Sequence, residues 1–157
     1  MFLALAPGAA AGVVPWWITG WRMEPPLFGL AAFRYLGAAL ILAGLPVLLD
    51  SFARFALTGL GTPVPALPTR HLVVTGLYRH VRNPMYVAVT SLILGQGLLF
   101  GNAAVLAYGA IVWLTFHLFV LIYEEPTLRK TYGEQCLAFT RAVPRWIPRL
   151  RLWRTET

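Results

Sequence analysis

Hydrophobic residues in this chain neither alternate nor recur on one helical face. They come in long blocks divided by short polar breaks. Four blocks stand out, roughly Phe2–Gly20, Leu27–Leu49, Met85–Phe100 and Ala103–Tyr123. A helix needs about 20 apolar residues to cross the hydrocarbon core of a bilayer. The first, second and fourth blocks meet that length. The third is shorter and interrupted by Gly95-Gln96-Gly97, so it crosses only if it tilts or the bilayer thins locally. Gly101-Asn102 alone separates the third block from the fourth, which predicts a tight antiparallel hairpin. After Pro126 the pattern changes: Leu128, Tyr132, Leu137 and Phe139 interleave with Arg129, Lys130 and Glu134, as in an amphipathic helix lying on a membrane surface. The predicted fold is all-α and integral to the membrane, with about four transmembrane helices and a C-terminal amphipathic interfacial helix.

Composition sharpens this reading. Charged residues make up 12% of the 157 residues, hydrophobic ones 58%, and mean hydropathy is +0.66; soluble domains carry roughly 25% charged residues. The length suits a single membrane domain over residues 1–157. A lone cysteine, Cys136, excludes an internal disulfide and a cysteine-based zinc site, and no metal is expected. The net charge of +7 would suit nucleic acid, but no recognition module is visible. The arginines instead cluster beside apolar blocks, as expected for the anionic inner leaflet. Arg54, Arg70, Arg79 and Arg82 fall in the Asp50–Pro84 loop, and seven Lys and Arg residues follow Glu125. The positive-inside rule puts both regions and both termini in the cytoplasm, in what is expected to be a bacterial inner membrane. Trp16, Trp17 and Trp21 resemble an interfacial aromatic belt, so the first block is read as a retained helix. The long Ser51–Arg82 loop, anchored by Leu72-Val73-Val74, is read as ordered and functional.

Two polar corners flank the predicted hairpin. At one end stand Glu124 and Glu125. They can simply end the helix at the water line, with Glu125 pairing to Arg129 at i+4. Negative charge at a helix C-terminus opposes the macrodipole, however, which suggests a cationic partner. His117 lies seven residues before Glu124, almost on the same face of an ideal helix; it reads either as a packed core histidine or as the border of a ligand site. The other corner is Arg82-Asn83-Pro84-Met85-Tyr86. Pro84 suits a first helical turn and Asn83 a cap, while a helix N-terminus also attracts carboxylates. One corner suits an anion and the other a cation, and an amino acid carries both charges.

Taken together, Gly76-Leu77-Tyr78, Arg82-Asn83-Pro84-Met85-Tyr86, Tyr123-Glu124-Glu125-Pro126, Tyr132-Gly133-Glu134 and Val143-Pro144-Arg145 resemble the isoprenylcysteine carboxyl methyltransferase and phospholipid N-methyltransferase superfamily. The resemblance spans roughly Gly59 to Pro148 and implies an integral-membrane enzyme that uses S-adenosylmethionine. It implies a methyltransferase core over residues 59–148, with a cytosol-facing cofactor site drawn from Val74, Gly76, Leu77, Tyr78, Arg82, Asn83, Tyr86, His117, Glu124 and Glu125. Glu125 and Arg145 are the expected catalytic residues, Glu125 holding an ammonium and Arg145 an acidic headgroup. Three departures stand out: Asn83 replaces a frequent histidine, Leu77 a frequent proline, and Cys136 and Phe139 frequent tyrosines. The expected reaction moves a methyl group to a lipophilic or small acceptor, whether carboxylate, amine or thiol, arriving from the bilayer. A non-catalytic membrane scaffold or subunit, and a sterol-reductase-like oxidoreductase using a nicotinamide cofactor, are the alternatives.

Overall fold

The computed structural model describes residues 6–58 and 76–151. Among these residues the fold is entirely helical. A π-turn at Ala9–Val13 leads into α1 (Val14–Thr19), and Gly20 ends α1 in the left-handed conformation. The longest helix is α2 (Ala32–Thr58), which contains Pro46 and so lacks one internal backbone bond. Next come a 3₁₀ turn at Gly76–Arg79, α3 (Pro84–Phe100) and α4 (Ala103–Phe119). A second π-turn, Val120–Glu124, joins α4 to α5 (Glu125–Tyr132), and α6 (Glu134–Ala142) follows. Val74, with the rest of the Gly59–Thr75 stretch, lies outside the described residues.

Among the described residues, two helices are long and apolar enough to cross a membrane, Ala32–Arg54 and Ala103–Tyr132. Much of their apolar surface faces outward: Leu42 and Ile122 are each 74% exposed, a pattern that suits lipid better than water. The other two expected crossings are shorter. Helix α3 has 17 residues, about 26 Å at 1.5 Å per residue, and α1 has six after its π-turn.

The residues fall into two compact units, one formed by the chain up to Asp50 with Met85–Phe116, the other by Ser51–Pro84 with His117 onward. In the first unit, small residues let helices approach closely. A Cβ on Gly37 would meet the Gly95 carbonyl at 2.6 Å, and one on Gly44 would meet the Ala88 carbonyl at 3.1 Å. Gly95 and Gly97 therefore do not interrupt α3. Gly95 seats α2, and Gly97 seats Leu106 of α4, whose side chain would lie 2.7 Å from an added Cβ. Between α3 and α4 the expected two-residue turn is present, with Gly101 at φ 73. The Asn102 side chain accepts from the Val105 amide at 3.1 Å and donates to Glu24 at 2.9 Å. Gln96 donates to the Ala11 carbonyl and Tyr108 to that of Ala10, so side chains satisfy the first π-turn.

In the second unit, the stretch expected as one amphipathic helix is divided at Gly133 (φ 53) into α5 and α6. From α6, Cys136 at 1% and Phe139 at 6% exposure turn inward, while α5 has no buried residue. Burial first, and the Glu125 charge second, raise the Cys136 thiol above its ordinary pKa, against the opposing pull of Arg129 and Arg82. The neutral thiol is a poor nucleophile. Folded protein at pH 8 should therefore leave Cys136 unmodified by iodoacetamide while denatured protein reacts fully, as mass spectrometry of the intact chain would report. Rapid alkylation of folded protein would contradict this packing.

Candidate functional site

The polar residues of the second unit gather around Glu125, and local structure explains how they reach it. The 3₁₀ turn opens at Gly76, whose φ of +55 and lack of a side chain are both required. The guanidinium of Arg54 lies over it, so that a Cβ would sit 2.2 Å from Arg54 Cζ. Leu77 accepts amide bonds from His80 at 2.9 Å and Val81 at 3.1 Å. Val81 is buried, and the chain turns through Arg82 and Asn83 into α3. Arg82 donates through Nη1 to Glu125 Oε1 at 2.8 Å.

Glu125, rather than Glu124, occupies this position because of the second π-turn. In an α-helix successive residues turn by about 100°, so residues seven apart share a face and residues eight apart diverge by about 80°. Within Val120–Glu124 the helix widens, and the Glu125 amide bonds back to Val120, five residues earlier. The turn absorbs one residue. Eight positions then rotate like seven, which aligns Glu125 with His117 and swings Glu124 off that face.

The C-terminal segment reads this alignment directly. Adjacent residues Arg145 and Trp146 bond to Glu125 and His117, eight positions apart. Arg145 grips both carboxylate oxygens, Nε to Oε1 at 2.7 Å and Nη2 to Oε2 at 3.0 Å. Trp146 donates its indole N–H to His117 Nδ1 at 3.1 Å, so Nδ1 acts as the acceptor in this arrangement. The same segment is stitched to the 80–83 corner. The Arg82 amide donates to Pro144 at 2.9 Å, the Asn83 side-chain amide to the Arg145 carbonyl at 3.3 Å, and the Arg149 amide to His80 at 3.0 Å. His80 Nδ1 returns a bond to the Arg149 carbonyl at 2.7 Å. Residues 143–149 therefore form a strap across the corner.

The resulting cluster carries surplus positive charge: two guanidinium groups share one carboxylate, leaving a net charge of one. All three side chains are largely shielded, with 15% exposure for Arg82, 29% for Arg145 and 13% for Glu125. Burial pulls the Arg82 pKa below its ordinary value, Glu125 pushes it back up, and Arg145 lowers it again; guanidinium nevertheless stays charged at neutral pH. Arg82 Nε is buried without a hydrogen-bond acceptor. A buried, unsatisfied charged donor is costly, and an anion placed there would relieve it.

Of the expected site residues, Arg82, Asn83, Glu125 and Arg145 come together, and His117 joins them through Trp146. Gly76, Leu77 and Tyr78 form the turn that leads into the corner. Glu124 is half-buried one position off the aligned face. Tyr86 lies in the other unit, stacked on Phe116 with ring centroids 4.6 Å apart. Glu125 and Arg145, expected to hold separate ligand groups, bind each other. Sequence reasoning gave no role to Trp146 or Arg149, or to the backbone of His80. Their only signal was the proline spacing Pro144–Pro148, which predicts an extended segment.

No characterised protein and no solved structure matches the chain. The model of one family, phospholipid methyltransferase, matches residues 32–135. That span contains the Arg82 corner and the π-turn with Glu125, and ends before Arg145. Carrying two helices of membrane length among its described residues and matched over well more than half of its length, the chain belongs to the phospholipid methyltransferase family.

Proposed function

We propose that the protein moves the methyl group of S-adenosylmethionine to a lipophilic acceptor at the cytosolic membrane face. The observation that carries this reading is the shielded Arg82–Glu125–Arg145 cluster, with its net positive charge and its unsatisfied Arg82 Nε–H. These residues fit the cofactor in one definite respect: a buried donor beside surplus positive charge suits the carboxylate of its amino-acid portion. When bound, the cofactor supplies an electrophilic methyl on a sulfonium. Arg82 and Arg145 hold the anionic group, and Glu125 keeps the two guanidiniums from repelling each other. Asn83 fixes the strap backbone at Arg145. His117 is oriented by Trp146 and borders the site as a polar group. Glu124, the half-buried neighbour of Glu125, is the carboxylate proposed to face the cofactor's ammonium. The strap and the 80–83 corner exclude water, so that positioning does most of the catalytic task.

The wider arrangement follows the same reading. Helices Ala32–Arg54 and Ala103–Tyr132 cross the bilayer, α1 and α3 complete four crossings with tilt or local thinning, and both termini are cytoplasmic. The acceptor is a lipid amine, carboxylate or thiol that enters sideways from the bilayer.

The test is transfer of radiolabel from methyl-labelled S-adenosylmethionine into the lipids of membranes containing the protein. Label should appear in an organic-extractable product, and Arg82→Ala should abolish it while leaving the protein folded. Absence of labelled lipid from active-site-intact, folded protein across amine, carboxylate and thiol acceptors would overturn the proposal.

A further inference from the structure

Beyond the strap's bonds to Glu125 and His117, its far end shows a second feature. Ile147 is 78% exposed and Leu150 99%, although neither belongs to a helix. Apolar side chains on a loose loop tend to fold back onto the nearest apolar surface. Here the backbone prevents it, because Arg149 is held on both sides by His80 and by its own guanidinium bond to the Ala142 carbonyl. The segment thus presents two large aliphatic groups outward from a fixed backbone.

Its depth and charge indicate what covers them. Trp146, immediately before Ile147, bonds to His117, which lies inside the apolar helix Ala103–Tyr132. His117 precedes Glu125 by eight residues, about 10–12 Å along the helix toward its middle. The strap therefore descends from the polar cluster toward the apolar part of the helix, and Ile147 emerges at that level. From Arg141 through Arg151 the chain carries four arginines and no acidic residue, with Arg141 and Arg151 exposed. Outward aliphatic groups ringed by cations, beside a membrane-length helix, match the headgroup–acyl boundary of an anionic bilayer. A protein partner would need a complementary acidic face and would have to reach the same depth.

We propose that Ile147–Arg151 is a lipid-docking peg. Ile147 and Leu150 enter the acyl boundary, Arg141 and Arg151 meet anionic headgroups, and the bilayer itself holds in place the strap that grips Glu125 and His117.

The test places an environment-sensitive fluorophore on Leu150→Cys in the full-length protein, reconstituted into nanodiscs of phosphatidylcholine with or without phosphatidylglycerol. Buried Cys136 remains unlabelled in folded protein, and Ile147→Cys provides a second reporter. Both labels should emit to the blue of a control label at exposed Glu134→Cys. Both should be quenched by a spin label at a shallow acyl position more than by aqueous iodide. Phosphatidylglycerol should increase that lipid quenching, and Arg151→Glu should remove the increase. Emission and iodide quenching equal to the Glu134 control would overturn the proposal, as would a blue shift without lipid quenching, which marks a protein partner or second copy. The readout is side-chain depth, so it stands independently of whether methyl transfer is observed.

Discussion

Glu125→Gln is expected to reduce methyl transfer on the order of 10²-fold, the scale of losing one preorganised electrostatic group. Glu124→Gln should reduce it by less than about tenfold, or 1.4 kcal/mol. The contrast follows from the geometry. Glu125 accepts three charged bonds, one from Arg82 and two from Arg145, whereas substitution at Glu124 leaves all three in place. Removing the Glu125 charge leaves two shielded guanidiniums facing each other. With 13–29% exposure across the three side chains, solvent offsets part of that repulsion, so the stability loss should be about 2–4 kcal/mol. For a chain of this size that corresponds to a drop of roughly 5–10 °C in thermal midpoint. Parallel assays and melting curves of the two variants check it. Equal losses at both glutamates would contradict the assignment of Glu125 to the cluster.

The second large effect concerns the π-turn. Because Val120–Glu124 contains one residue more than an α-helix needs, deleting Ile122, which is 74% exposed, should convert the turn to α-helix. Glu125 would then stand seven positions after His117 and keep its face. Inserting one alanine after Ile122 should instead rotate Glu125 by about 100°, breaking either the Arg145 or the Trp146 contact. The deletion should retain most activity, and the insertion should lose about as much as Glu125→Gln. Methyl transfer by the two variants, with helicity confirmed by circular dichroism, decides the matter. If the deletion proved as damaging as the insertion, the turn would not be setting the register.

How legible this was in the sequence differs from element to element. The hairpin was readable because Gly101-Asn102 leaves no other connection between two apolar blocks, and the turn forms there with an Asn102 side-chain cap. The approach of Arg82 toward the glutamates was readable from opposite charges at two helix ends. The choice between Glu124 and Glu125 was not. Spacing counted at 100° per residue aligns His117 with Glu124, and the uniformly apolar run Val120-Leu121-Ile122 carries no mark of a widened turn. In the sequence Gly95 and Gly97 look like an interruption, since a glycine in isolation suggests weakness. Their value lies in what packs against them, Gly37 against Gly95 and Leu106 against Gly97, which a glycine's immediate neighbours in sequence do not show. The Arg145–Glu125 pair escaped for the same reason: each residue suited a ligand taken singly, and only the strap's path brings them together.

The amphipathic pattern after Pro126 was visible, but its partner was not. An apolar stripe fits a membrane surface and a protein interior equally well. Burial of Cys136 and Phe139 turns part of α6 inward, while α5 has no buried residue. The apolar groups proposed to meet lipid lie further on, at exposed Ile147 and Leu150, where proline spacing rather than helical periodicity governs the chain.

The central claim is that the Arg82–Glu125–Arg145 cluster belongs to an S-adenosylmethionine site, and equilibrium binding measures this most directly. Titration calorimetry on the protein in nanodiscs should give saturable, one-to-one binding of S-adenosylmethionine with micromolar Kd, about −8 kcal/mol. Arg82→Ala should weaken it by roughly 1.5–3 kcal/mol while helicity is unchanged. Folded wild-type protein that shows no saturable heat, or an Arg82→Ala variant that binds as tightly as wild type, would contradict the account.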